Sequence, residues 1–451
     1  MAEVHNSKSC ITRLAHDHIF YILHLLPIES ILCFSMTCKR FRTMASSDAF
    51  WQSICGRDFG SSSVDGVQAS YAAECIRIHW KKLYQQVSQF GSVSCVRLAA
   101  QDGISPIPRA SHSFNSVSDC LVLFGGGCAG GRHLDDTWIT QTENGFQHVL
   151  QWQQINSGVP TGRFGQTCNV IGDRLVLCGG INDKGMRQND TWIGHLICNE
   201  KQELNLSWRL LDVRPNELPP RGALAGCCVG EKLVIHGGIG LDGSRLNDTW
   251  LLDLRDGGRS AAFWREIVTL VSPPARSGHT LTWIGGTLVI LFGGRGNGYE
   301  VHNYLWLLNI GGDYPEWVKL MCDTYNLPDT VPDPRVGHSA TLILGGQVLI
   351  YGGEDSQRHR KDDFWVLDPS AAPAIKMRSH ALNLKRSSKM MWKRLRVEGQ
   401  QPSSRSFHRA CANQSGQCIY ISWGMVDGLS QPAEAFGLRF NGDMYLVKIL
   451  L

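Results

Sequence analysis

The sequence predicts a mainly β fold, a six-bladed β-propeller preceded by a small all-α domain, and three recurrences lead to it. A glycine pair closes an apolar run at Gly125-Gly126, Gly179-Gly180, Gly237-Gly238, Gly293-Gly294 and Gly352-Gly353. Twelve residues beyond each second glycine stands a tryptophan: Trp138, Trp192, Trp250, Trp306 and Trp365. An arginine stands 17 or 18 residues before it: Arg109, Arg163, Arg221, Arg276 and Arg335. Self-similarity at a period near fifty residues is the mark of an array of identical small units.

In chain order, residues 11–60 carry no glycine pair, and Ile19, Ile22, Leu23 and Leu26, then Ile31, Leu32 and Phe34, fall at helical spacing. Pro27 separates two short helices. Residues 61–92 read as a linker with a further helix, and 93–99 (Val93 to Ala99) has strand character. From there to residue 451 the repeats run. Each unit parses into four strands: one after the arginine, one ending in the glycine pair, one alternating through the first tryptophan (Trp250, Leu252, Leu254), and one starting at a second tryptophan (Trp152, Trp208, Trp264, Trp317, Trp392). Four strands in about fifty residues is one propeller blade. The sixth unit keeps Arg405, Phe407 and His408, but Trp423-Gly424 replaces its glycine pair and the chain ends as its third strand finishes. Closing the ring then requires a strand from elsewhere, and 93–99 is the candidate, because an unpaired edge is an aggregation hazard.

The repeats resemble the kelch family over about residues 105–450. Further back, Leu25-Leu26-Pro27-Ile28-Glu29-Ser30-Ile31-Leu32, then Thr37-Cys38-Lys39-Arg40-Phe41-Arg42, then Ala49-Phe50-Trp51 resembles the F-box, with Leu14-Ala15 in place of its usual opening Leu-Pro. Cys55 to Gly60 and Trp80 to Tyr84 resemble the segment after the F-box in plant proteins of this organisation, including the C-terminal part of the LOV-kelch group; no flavin-binding LOV motif precedes it here. The resemblance implies a non-catalytic substrate receptor of a Skp-cullin-F-box ubiquitin ligase. The F-box would dock a Skp-type adaptor through Leu26, Pro27, Ile31, Leu32, Cys38, Phe41 and Trp51, and the adaptor would join it to a cullin scaffold. The propeller would bind a protein to be ubiquitinated. The alternatives are a kelch scaffold acting outside a ligase and a metal-dependent kelch enzyme.

Fixed frames with changing contents mark the stretches after the glycine pairs as a recognition surface. Arg132, Arg187, Arg245, Arg295, Tyr299, Arg358 and Arg360 are its candidate substrate contacts, as arginine and aromatic side chains are the common anchors of interfaces. Residues 425–441 form a longer sixth stretch with Phe436, Arg439 and Phe440. The repeated arginine should pair with a repeated aspartate (Asp136, Asp190, Asp248, Asp363, Asp443); Tyr304 replaces it in the fourth unit, which adds Arg276 to the candidate contacts. His112, His279, His338 and His408 recur three residues after the arginine, but Gln166 and Leu224 stand there in the second and third units, so a structural role is expected and no metal or cofactor.

A net charge of +4 with no basic block gives no nucleic-acid footprint. No stretch has the length of a membrane span or the form of a signal peptide, so no membrane contact and an intracellular home, nucleus and/or cytoplasm, are expected. The 16 cysteines are scattered without a Cys-x-x-Cys pair, which suits buried, reduced thiols. Residues 372–389 hold Lys376, Arg378, His380, Lys385, Arg386 and Lys389, read as a solvated charge run.

Overall fold

The computed structural model describes residues 11–142, 149–156, 158–198, 204–213, 217–254, 262–312, 314–320, 330–372, 390–427 and 438–451. Six four-stranded antiparallel blades close into a ring. Blade 4 is representative: Thr280–Gly285, Leu288–Phe292, Leu305–Asn309 and Glu316–Leu320 pair in sequence order. Its inner residues, among them Ile290, Phe292, Leu305 and Leu307, pack on Val348, Ile350 and Trp365 of blade 5, so adjacent blades share one apolar wedge. Blade 6 takes its outer strand from the N-terminal side. Ser92–Ala100 runs antiparallel to Met444–Ile449 in the register Val93 to Ile449 and Leu98 to Met444, leaving Val93, Cys95 and Leu98 buried.

Around the axis, the residue two places after each repeated arginine donates its backbone N–H to the carbonyl of its counterpart one blade back. The chain of bonds runs Ser111 to Phe407, Phe407 to Gly337, Gly337 to Gly278, Gly278 to Ala223, Ala223 to Gly165 and Gly165 to Ser111, at 2.7 to 3.0 Å, and so closes on itself. All six residues have positive φ. Three are glycines. Phe407, at φ 54°, is a bulky exception held there by the ring, and a Cβ on Gly337 would meet its side chain at 2.9 Å. Of the glycine pairs, Gly238 shows why they recur: its φ is 100°, and a Cβ there would meet the Gly222 carbonyl oxygen at 2.8 Å.

The recurring histidines join blades. His112 Nε2 lies 2.9 Å from Ser422 Oγ, His338 Nε2 3.0 Å from Thr280 Oγ1, His408 Nε2 2.9 Å from Ser339 Oγ, and His279 Nε2 3.1 Å from His236 Nδ1. Gln166 does the same work in blade 2, donating to the Phe124 carbonyl. All are buried, and burial first, with neighbouring arginine charges second, lowers the pKa of His338 to about 3.

Among the described residues, six α-helices come before the ring: α1 (His16–His24), α2 (Ile28–Ser35), α3 (Lys39–Met44), α4 (Asp48–Phe59), α5 (Ser61–Ala73) and α6 (Trp80–Gln89). Their core (Ile19, Leu23, Ile31, Phe41, Phe50, Trp51, Ile54) is continuous with Ile343, Leu344 and Leu349 of blade 5 and Ile419 and Ile421 of blade 6. The contact is tight. A Cβ on Gly66 of α5 would meet the Ser415 backbone nitrogen at 2.6 Å, and one on Gly345 would meet Val87 of α6 at 2.6 Å. No helix among the described residues is long and apolar enough to cross a membrane.

Candidate functional site

Two surfaces are candidates for function, one on the helices and one on the ring. Within the helical domain Arg57 is the organiser. Its Nη1 donates to the carbonyls of His24 (2.6 Å) and Leu26 (2.8 Å) at the end of α1, while its Nε and Nη2 grip the Asp58 carboxylate. The Tyr84 hydroxyl donates to the same carboxylate at 2.8 Å, so α1, α4 and α6 share one polar clamp. Burial, and then Asp58, raise the Tyr84 pKa and keep the phenol a donor.

The residues expected to dock an adaptor separate into two groups. Ile31, Phe41 and Trp51 are buried in the helical core, and the Trp51 indole donates to the Ala45 carbonyl. They shape the domain and present nothing to a partner. Leu26, Pro27 and Cys38 are half-buried, and Leu32 is exposed. The apolar side chains left exposed on α1 and α2 and at their C-terminal caps are Tyr21, Ile22, Leu25, Leu32 and Met36, the last 76% exposed. The signal for Tyr21 and Leu25 lies in the helical period, which turns them away from the buried Ile19 and Leu23, where a solvated helix carries polar groups.

On the ring, the loops between second and third strands emerge at one end of the blades, and the turns between first and second strands at the other. The helices pack against the latter turns, at 344–346 in blade 5 and 413–417 in blade 6. The end bearing the variable loops is therefore the one turned away from the helices. Short hairpin bridges frame these loops, such as Ile239 with Arg245 and Glu354 with Arg360. At this end, blades 6, 1 and 2 border an open pocket of about 290 Å³, lined by Phe164, Phe407, Met425 and Phe440 together with Arg132 and His133.

The expected contact residues again divide. Arg132 and Arg358 are exposed, and Tyr299 is 70% exposed with positive φ. Arg187 is half-buried and donates to the Gly185 carbonyl. The Arg245 guanidinium lies 5.0 Å over the Tyr299 ring and its Nε reaches Ser277 Oγ, joining blades 3 and 4. Arg295 and Arg360 are committed internally. Both grip the buried Glu354 carboxylate, at 3.2 and 3.4 Å, and Arg360 also holds Asp427 at 2.5 Å. Arg360 is thus not a free anchor, because removing it would strand a buried acid. Arg276 has no solvent exposure. Sequence reading passed over Glu354 and Asp427; Glu354 follows its glycine pair at a place where Ile181 and Ile239 stand in other blades, and a carboxylate among those was the available signal.

The repeated arginine and aspartate pair in blades 1, 2, 3 and 5. Blade 6 differs: the Asp443 carboxylate pairs with Arg97 of the closing strand, and Arg405 reaches only the Asp443 backbone carbonyl. Residues 373–389, with Lys376, Arg378, His380, Lys385, Arg386 and Lys389, and Phe436 lie outside the described residues.

Comparison with known proteins agrees with this division. An F-box-like family model matches residues 16–57, and a KLHDC2/KLHL20/DRC7 Kelch-repeats domain matches residues 201–371. An F-box/kelch-repeat protein of Arabidopsis thaliana is 50% identical over 99% of this chain and 94% of its own length. This chain belongs to the F-box/kelch-repeat proteins. Adagio-like protein 1 of Oryza sativa subsp. japonica is 27% identical over 89% of this chain and 60% of its own length. A solved structure titled "Structure of YjhT" matches with a TM-score of 0.51 and 13% identity, covering 75% of this chain and 95% of that one; it speaks to the fold alone. An F-box joined to kelch repeats suggests a substrate adaptor.

Proposed function

We propose that this F-box/kelch-repeat protein is the substrate receptor of a Skp-cullin-F-box ubiquitin ligase, with the helical domain holding a Skp-type adaptor and the far end of the ring capturing the protein to be modified. The observation that carries the reading is the placement of two unlike surfaces, one on the helical domain and one at the end of the ring turned away from it. Exposed apolar side chains, Tyr21, Leu25, Leu32 and Met36, stand along α1 and α2 and at their C-terminal caps. The pocket lined in part by Arg132 opens at the opposite end of the blades from the turns that seat the helices. A receptor needs this arrangement, because both partners must bind at once and at a fixed separation.

The test is co-purification of the full chain with a Skp-type adaptor. Changing Leu25 and Met36 together to Asp should remove the adaptor while leaving thermal unfolding unchanged, since both side chains are exposed. Changing Arg132, Phe164, Tyr299 and Arg358 to Ala should abolish enrichment of ubiquitinated partners but keep the adaptor. Adaptor binding that survives the first pair of changes would overturn the docking assignment. Unchanged partner enrichment after the second set would place recognition elsewhere. The reading implies work in nucleus or cytoplasm, which imaging of the tagged chain would check.

A further inference from the structure

Blades 1, 2, 3 and 5 share one local arrangement. An aspartate carboxylate accepts from both terminal nitrogens of the repeated arginine and from the indole Nε1 of the tryptophan two residues later. Asp136 does so with Arg109 and Trp138, Asp190 with Arg163 and Trp192, Asp248 with Arg221 and Trp250, and Asp363 with Arg335 and Trp365, all at 2.5 to 2.9 Å. Three donors converge on one anion, which is the geometry that recognises a carboxylate.

Blade 4 keeps the donors and lacks the acceptor. Arg276 is held in the same frame as its counterparts, its Nε donating to the Pro274 carbonyl and its Nη1 to that of Gly293. Tyr304 stands at the aspartate position, and both Arg276 Nη2 and Trp306 Nε1 are buried without a hydrogen-bond partner. Among the described repeated arginines, Arg276 alone has such a nitrogen. Trp208, Trp264 and Trp423 also have unpartnered indoles, so the weight rests on the arginine. A guanidinium with no exposure and an unused donor is costly to bury and is relieved by an anion.

The surroundings favour a visiting acid. Lys319 Nζ lies 4.1 Å over the Tyr304 ring, which is 45% exposed and stacked on His302. Glu300 is the nearby internal acid; its Oε1 lies 3.7 Å from His302 Nε2, and it acts on Arg276 only through space, as Tyr304 does. The repeated arginine and aspartate both precede strands that start at the variable-loop end, so this position shares a face with the pocket. In the complete blades the aspartates keep a solvent-facing edge, 12 to 25% exposed, which shows that the carboxylate position borders water.

We propose that blade 4 holds a carboxylate-binding site, made by Arg276 and Trp306 and covered by Tyr304, which takes an acidic side chain of a protein bound on this face. Only the origin of the acid rests on the receptor reading above. The carboxylate displaces the Tyr304 ring outward and completes the set of hydrogen bonds that the other blades make internally.

The test monitors the indole N–H resonance of Trp306 in the full isotopically labelled chain, assigned by Trp306→Phe. Sodium acetate should move it saturably where sodium chloride at equal ionic strength does not. A blocked peptide, acetyl-Gly-Glu-Gly-amide, should move it at lower concentration than acetate, and its Gln counterpart should leave it in place. Tyr304→Ala should tighten the acetate response several-fold by uncovering the site, whereas Tyr304→Asp should abolish it and raise the unfolding temperature by restoring the internal pair. No movement with acetate or the Glu peptide, or an equal movement in Tyr304→Asp, overturns the site. A response that emerges only in Glu300→Gln shows that the chain fills its own site and overturns it too. Movement with acetate but not with the peptide overturns the assignment to an acidic side chain. Adaptor co-purification is read separately, so loss of the receptor reading and loss of this site are distinguishable.

Discussion

Arg335 shows what a repeated residue does in this fold. Its Nε donates to the Asp333 carbonyl, its Nη1 to that of Gly352, and its terminal nitrogens grip Asp363, all without solvent exposure. Burial would raise the Asp363 pKa, but the hydrogen bonds and charge of Arg335, aided by the Trp365 indole, outweigh it and hold the carboxyl below its usual range. Asp363→Ala leaves a buried guanidinium without its anion and should cost about 3–5 kcal/mol. Denaturant unfolding measures it, and a loss below about 1 kcal/mol would show that water replaces the carboxylate. Arg57→Ala is the helical-domain counterpart. It releases two carbonyls of the α1 end and a carboxylate, so the helical domain should lose about 1.5–3 kcal/mol, seen as faster amide exchange in α1 while the ring exchanges as before.

At the scale of elements, the joint between helices and ring depends on small residues. Gly66 lies within α5, and a methyl group there meets backbone, which cannot turn aside as a side chain can. Gly66→Ala should therefore lower stability by about 1–3 kcal/mol despite the better helix propensity of alanine. An unchanged unfolding temperature would mean that α5 rides loosely on blade 6. The closing strand is the second such element. A truncated chain starting at Gln101 exposes the edge of Met444–Ile449 and its apolar partners, and should aggregate during purification; a stable monomer would show that Arg396–Gly399, which pairs with the closing strand from its other side, can substitute. The alternating residues of 93–99 mark a strand beside the first repeat. Its pairing with a strand at the far end of the sequence comes from ring closure, which no local pattern encodes.

Across the whole molecule, buried neutral imidazoles set an acid limit. His236 and His338 are brought down to about 3, and His112, His279 and His408 are lowered as well, by burial first and then by nearby arginine or histidine charges. In each case the unfolded chain binds the proton more readily than the folded one, so the contribution is complete above the ordinary histidine value near 6.5 and is lost as pH falls towards 3. The unfolding temperature should hold steady between pH 7 and 8 and decline below about pH 6, before the carboxylates of Asp136, Asp248 and Asp363 titrate. His338→Gln should flatten that decline, as glutamine at the same position joins blades 1 and 2 without titrating.

The order of residues along the chain was enough to establish the ring, its blade count, the helical domain before it and the pairing of arginine with aspartate in four blades, because each of these is repeated or periodic and short-range. Packing in three dimensions settled the rest. It buried Ile31, Phe41, Trp51 and Arg360, which the motif and the loop pattern offer as contacts, placed Arg276 behind Tyr304, and left Leu25 and Met36 exposed. It sent the Asp443 carboxylate to Arg97 and joined Arg295, Glu354, Arg360 and Asp427 across three blades. The reason is geometric: a repeat states which residues share a position, while exposure and ion pairing depend on what a neighbouring blade or helix places against it.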